Sequence, residues 1–244
     1  MNKLNTYDKT IGYASINEVD RESLERKIKV ILESVKKYCP ITKLDNILMA
    51  GCGDGTEAMI MSKMLDSRVI GVDISLQHKT MRLAEKCVVQ WGDVSKLEFE
   101  DSTFSFIYSY HVLEHVSNPS IVLQELARVM QQGAILFIGF PNRHRIFAYF
   151  GDHNNASWNQ FFAWNLKDYQ MRIRGKFHNK FGAHAGFTEK EFIGIASEHF
   201  DTIHRVRKEY MHAKYHRFGS LINMLHRLGL DELAFPSNYF ICIK

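Results

Sequence analysis

The chain has 244 residues, 45% of them apolar and 24% charged, with 31 Lys+Arg against 27 Asp+Glu and a formal charge of +4. These are the proportions of an ordinary folded protein, and they exclude a disordered, collagen-like or disulfide-scaffold chain. The length suits one large domain, or one domain with an elaboration.

Residues 1–19 are polar with scattered aromatics and read as an irregular lead-in. Over 22–38, Leu24, Ile28, Ile31, Leu32 and Val35 recur at three- and four-residue spacing, which predicts an amphipathic helix. Cys39-Pro40 ends it, because proline restricts the residue before it. Alternation then begins. NILMA (46–50) is a strand, followed by glycines at 51–55 and a helix over 56–65. RVIGVD (68–73) is a second strand, 76–85 is helical in pattern, and KCVVQW (86–91) is a third strand. FSFIYSY (104–110), a helix over 120–130 and AILFIGF (134–140) complete the series.

Near-continuous apolar strands alternating with helices predict a parallel sheet covered on both faces. Beyond it, 141–186 lacks a clear period and is dense in His, Trp, Phe and Arg, too long for a mere connection. TEKEFIGIAS (188–197) reads as a helix with Thr188 as N-cap and Glu191 closing a capping box. A strand over 201–207, a helix over 217–228 and a closing strand over 239–243 follow. The expected fold is α/β: a Rossmann-like, seven-stranded, mostly parallel sheet with helices on both faces, plus a substrate-lid insertion. Its expected parts are a lead-in and helix (1–44), a core (45–140), the insertion (141–187) and a C-terminal completion of the sheet (188–244).

Four cysteines, Cys39, Cys52, Cys87 and Cys242, show no metal-type spacing and lie in or beside apolar stretches, as free structural thiols do. The first residues lack the apolar run of a secretion signal. The run 134–140 falls far short of the ~20 residues that span a bilayer. A cytoplasmic, reduced protein without a membrane span is the expectation.

The densest motif is LMAGCGDGTE (48–57), between first strand and first helix. Alternate glycines, Gly51, Gly53 and Gly55, permit positive φ and let a ligand approach bare backbone. The next helix turns its N-terminus toward that ligand, at the strand ends where open α/β sheets bind. Asp73 ends the second strand, placed to accept hydrogen bonds from ribose hydroxyls, with Ile74 beside it. Asp93 follows the third strand, where a carboxylate accepts from an exocyclic amine while Val94 packs on a purine face. A dinucleotide-binding dehydrogenase is the rival reading, but its fingerprint needs glycine where Thr56 stands.

From Asn46 to Asn142 the chain resembles the class I S-adenosylmethionine (SAM)-dependent methyltransferases, specifically their type 11 small-molecule group. The resemblance is carried by MAGCGDGTE, the acid of VIGVD, the GDV step and SYHVLEHVSNPSIVLQELARVM-QQGAILFIGFPN. It implies SAM as cofactor, with Gly51, Gly53 and Gly55 along its methionine and ribose portion. It further implies Asp73 at the ribose hydroxyls, Asp93 and Val94 at the adenine, and Tyr110 facing the cofactor. Gln131-Gln132-Gly133 stands where the family has a Pro-Gly-Gly turn. Beyond Asn142 the match fades, apart from His184-Ala-Gly-Phe-Thr188.

His111-Val-Leu-Glu114-His115 fits an H-x-x-E-H zinc pattern. No metal is expected, because a third ligand at a standard spacing is missing. His115, ahead of His111, is the candidate catalytic base at the mouth of the pocket; its alternative is packing behind the glycine loop. His111, Trp164, His178 and His184 are candidate substrate contacts, with His144, His153 and Trp158 in the same stretch. Tyr7 and Tyr13 are weaker candidates for covering the cofactor.

Residues 141–244 hold 15 Lys+Arg against 9 Asp+Glu, so the basic excess lies in the part expected to choose the substrate. That favours an anionic small-molecule acceptor, methylated on oxygen or nitrogen. An RNA methyltransferase is the first alternative, although a nucleic-acid partner is not expected without a binding module or a long basic run. A non-catalytic SAM-fold scaffold is the second. The oligomeric state is not legible.

Overall fold

A computed structural model describes residues 21–38, 44–76, 79–147, 158–181 and 183–244. The first helix, α1 (Arg21–Val35), buries Ile28, Ile31, Leu32 and Val35, the stripe that its spacing predicts. The strands β1 (Asn46–Ala50), β2 (Arg68–Asp73), β4 (Cys87–Trp91), β5 (Phe104–Tyr110) and β6 (Met130–Pro141) supply the parallel pairs. Helices α2 (Thr56–Leu65) and α3 (Pro119–Val129) connect them. Asn118 caps α3, accepting from the backbone N–H of Ser120 and Ile121, and Pro119 sits at the first turn, where no N–H is missed.

One expected helix is a strand. The expected helix 76–85 begins at the end of a 3-10 turn (Ile74–Leu76) and is otherwise β3 (Thr80–Ala84) among the described residues, antiparallel to β4 through the Glu85-Lys86 turn. Met81 and Leu83, two apart, pack on the core from the edge. That period-two pairing, set by the hairpin partner, overrides a weak helical pattern. Among the described residues the sheet therefore has eight strands, not seven, in the order β3-β4-β2-β1-β5-β6-β8-β7. The Gln131-Gln132-Gly133 step lies inside β6 as an irregularity: Phe104 pairs with Met130, and the next pair is Phe106 with Ile135.

The C-terminal half contributes α4 (Trp158–Ile173), α5 (Glu189–Ala196), β7 (Thr202–Arg205), α6 (Arg207–Lys214), α7 (Gly219–Arg227), α8 (Asp231–Ala234) and β8 (Ser237–Ile243). The Thr188–Glu191 capping box that the sequence predicts is formed in both directions. β8 runs antiparallel between β6 and β7 and closes the sheet.

Alternation along β1 divides the core. Ile47 and Met49 face α1, α2 and α6, whereas Leu48 and Ala50 face the cluster that contains Leu123, Leu126 and Phe192 of α3 and α5. Both faces of the sheet are thus covered, as parallel strands require. Because β1 pairs with β2 on one side and β5 on the other, the strand order reverses at β1, and the loop after β1 opens onto that switch point. Among the described residues, no helix is long and apolar enough to cross a membrane.

Candidate functional site

The loop after β1 is held by backbone. The N–H groups of Gly51 and Cys52 both donate to the Val72 carbonyl, at 2.8 and 3.2 Å. Its three glycines have φ of +79°, +57° and +86°, yet they do different things. A Cβ on Gly51 would collide with Val112 Cγ2, and one on Gly55 would come within 2.5 Å of Leu83 Cδ1 and 2.6 Å of Val89 Cγ1. Gly53 is different: a Cβ there would meet nothing within 4 Å. The outer two glycines let the loop pack on the protein, and the middle one leaves bare backbone facing open space.

Asp73 is tied to that middle glycine. Its Oδ2 accepts from the Gly53 N–H at 2.7 Å and its Oδ1 from the Ser75 N–H at 2.8 Å. Each carboxylate oxygen keeps a second acceptor site, so the pair remains able to receive two hydroxyls. Ile74, next along, is 46% exposed, an apolar surface beside the carboxylate. After β4, exposed Asp93 closes a small turn, accepting from the Ser95 N–H at 2.8 Å and Ser95 Oγ at 2.7 Å, and Val94 is buried against the core. A polar, acceptor-rich rim thus runs along the ends of β1, β2 and β4, and it suits the ribose and base of a nucleoside.

Tyr110, expected to face the cofactor, lies in an aromatic row on the α1 side. Its hydroxyl is 3.3 Å from that of Tyr239, its ring stacks against Tyr108, and Lys27 Nζ stands 3.6 Å over the ring. Burial, reinforced by the neighbouring Tyr239, pushes its phenol well above the usual range, so it stays protonated. Lys27 and Tyr108 converge on Glu57 in the first turn of α2, at 2.7 Å to Oε1 and 2.8 Å to Oε2. Sequence reasoning missed this triad: the glycine motif includes Glu57, but nothing local announces partners from α1 and β5.

Beyond β5 the chain turns back through His111 at φ +57°, with its N–H on the Gly139 carbonyl (2.8 Å). Val112 then seats on Gly51, and a 3-10 turn (Leu113–His115) follows. Glu114 is driven inward, its side chain 1% exposed. Its Oε1 receives His111 Nδ1 at 3.0 Å and lies 3.9 Å from His115 Nε2. Burial works against ionisation of this carboxyl, but the His111 hydrogen bond and the two imidazoles prevail and hold it below the usual range.

His184 completes the group from the far end of the insertion. Its ring meets His115 edge-to-face at 4.8 Å between centroids, and burial, aided by His115, pushes its pKa down to about 4. The segment is held by buried Arg145, which donates to the carbonyls of His184 (2.9 Å) and Ala185 (3.3 Å) and pairs with Asp168 of α4 at 2.9 Å. The structure therefore brings His111, His115 and His184 together, and adds Glu114 and Arg145. Trp164 is half-buried on α4, and His178 is exposed beyond that helix. His144 pairs with Glu232 at 3.0 Å, toward α8. Tyr7, Tyr13, His153 and the Trp158 side chain lie outside the described residues.

Residues 48–138 match the family model of a methyltransferase domain. The chain is 25% identical over 127 residues to a 27-O-demethylrifamycin SV methyltransferase of Amycolatopsis mediterranei, a match covering 48% of this chain and 46% of that one. It is 27% identical over 114 residues to a norajmaline N-methyltransferase of Rauvolfia serpentina, covering 43% and 39%. The chain spans less than half the length of the curated relatives it matches. Among solved structures, a putative sarcosine dimethylglycine methyltransferase of Galdieria sulphuraria shares the fold at TM-score 0.54 and 14% identity, over 91% of this chain and 84% of that one.

Proposed function

We infer, from the match of residues 48–138 to a methyltransferase-domain family model, that this chain is a SAM-dependent methyltransferase that transfers a methyl group to an oxygen or nitrogen of a small molecule or short biosynthetic intermediate. SAM is the cofactor of that family, and when bound it supplies an electrophilic methyl group on a sulfonium. The observation that carries the reading is the pairing of Gly53 with Asp73: open backbone at a left-handed turn, fixed by a carboxylate that retains free acceptor sites. In this reading, Gly53 and its neighbours Gly51 and Gly55 form the cradle. Asp73 receives the ribose hydroxyls, Ile74 and Val94 cover the base, and Asp93 takes its exocyclic amine.

The acceptor enters from the side of His111, Glu114, His115 and His184, where β5 and the end of the insertion meet. Orienting an acceptor against the methyl group can itself supply ~7–11 kcal/mol of the rate enhancement. Both O- and N-methyltransferases occur among the similar proteins, which supports the reaction class and leaves the acceptor atom to experiment. Titration calorimetry with SAM and with its demethylated product tests the first half of the proposal. A screen of small-molecule acceptors that detects the demethylated cofactor tests the second. Folded protein that binds neither cofactor form would overturn the reading in favour of a scaffold. Turnover confined to RNA, with affinity falling steeply as salt rises, would replace the acceptor class.

A further inference from the structure

Glu114 Oε2 is a buried carboxylate oxygen without a hydrogen-bond partner among the described residues. Leaving such an atom unsatisfied is costly. His111 already serves Oε1. One donor atom each from Glu114, His115 and His184 lies within 4.8 Å of the other two. We propose that Glu114, His115 and His184 bind one divalent transition-metal ion, with His111 as the outer hydrogen-bond partner that orients Glu114. The third ligand that the sequence lacks at any standard spacing is supplied by the fold: His184 is brought back to β5 where Phe187 bridges Asn142 at the end of β6.

The geometry needs a modest adjustment. With metal–ligand bonds of ~2.0–2.2 Å, donors around one ion stand about 3.0–3.5 Å apart. A cluster spanning 4.8 Å must therefore draw in by about 1.3–1.8 Å. His115, whose side chain is 28% exposed, can close by rotation, whereas Glu114 is fixed by burial and His184 by Arg145 on its own carbonyl. Two imidazoles and one carboxylate favour a borderline ion such as Zn(II), Fe(II) or Co(II) over Mg(II) or Ca(II). Three protein ligands leave positions open to solvent or to an acceptor oxygen, the pattern of reactive rather than closed structural sites. The role, though not the site, rests on the methyltransferase reading: hydroxylated acceptors that ligate through oxygen become the favoured class, and His115 acts as a ligand rather than a free base.

The test uses the full chain without a histidine tag, stripped with chelator and titrated with Co(II) followed by visible absorption, with Zn(II) as competitor and elemental analysis for stoichiometry. One equivalent per chain is expected. Glu114→Gln and His184→Ala should each weaken binding by on the order of 100-fold or more, and His111→Ala by about 10–100-fold with stoichiometry unchanged. His115→Ala, at an exposed side chain, supplies the decisive variant if the buried Glu114 change unfolds the protein. Absence of stoichiometric binding by folded wild type, or affinity unchanged in the ligand variants, overturns the site. SAM calorimetry on the same samples separates the two readings: SAM binding without metal defeats only the metal site, and metal binding without SAM defeats only the methyltransferase reading.

Discussion

Two glycines of one loop are expected to fail in different ways when given a methyl group. At Gly55, alanine would adopt φ +86° and thrust its Cβ to 2.5 Å from Leu83 Cδ1 and 2.6 Å from Val89 Cγ1. Left-handed backbone costs an L-residue ~1–2 kcal/mol, and overpacking a filled site adds ~1–3 kcal/mol. The sum is about 2–5 kcal/mol, or a fall in Tm on the order of 10 °C for a chain of this size. Gly53→Ala bears only the backbone cost, about 1–2 kcal/mol, because nothing lies within 4 Å of its Cβ. Its damage should appear in SAM affinity, since the methyl projects from the bare backbone that Asp73 presents. Thermal unfolding and SAM calorimetry on the two variants give the comparison. Gly53→Ala with wild-type affinity, or with a stability loss equal to that of Gly55→Ala, would refute the division of labour.

Further outcomes follow from the same contacts. Asp73→Asn removes the charge behind the Gly53 hydrogen bond and behind any bond to ribose; a loss of ~1.5–3 kcal/mol is about 10–100-fold in SAM affinity by calorimetry. Arg145→Leu removes the ion pair with Asp168 and frees the carbonyls of His184 and Ala185; denaturant titration should show ~3–5 kcal/mol of destabilisation, less than additive with Asp168→Asn, and a cost below ~1 kcal/mol would contradict the buried pair. The Arg128 hydrogen bond holds the Glu125 carboxyl below its usual pKa. Wild type should therefore exceed Glu125→Gln in stability at every pH above the ordinary carboxylate value. The advantage should disappear as pH falls through the lowered one, read from denaturation midpoints across an acid series.

What was legible in the sequence is what short-range physics decides. The strands NILMA, RVIGVD and FSFIYSY carry their burial in their composition, and Thr188 with Glu191 needs only three residues to specify a helix start. Residues 76–85 were not legible because a hairpin partner, not local propensity, makes β3 a strand. The roles of the glycines were legible only together. Spacing announces a loop, but which glycine meets protein and which meets open space depends on Val112, Val89 and Leu83, far along the chain. His184 is the clearest case. Nothing near it in sequence names Glu114 or His115, and the three become neighbours only because β6 and the returning segment end side by side.

The charge of the C-terminal half acquires a different meaning from the same reasoning. Its excess suggests a basic cleft for an anionic acceptor, yet five of its eight arginines are engaged within the fold. Arg143 holds Glu191 and the Gly186 carbonyl, and Arg145 holds Asp168. Arg172 donates to the carbonyls of residues 143 and 145. Arg205 and Arg207 share Glu189, and Arg207 also reaches Asn238. A guanidinium offers five donors in a fixed fork, which suits it to tie irregular backbone where no sheet or helix can. Residues 142–147 and 183–187 are such backbone, and they carry the turn that delivers His184. Arg143, Arg145 and Arg172 therefore position the backbone that carries His184, and an anionic acceptor would have to be drawn by exposed charges such as Arg174 and Lys176. Attraction through exposed charges is screened by salt. If turnover of an anionic acceptor proves indifferent to ionic strength, the basic excess of this half belongs to its architecture.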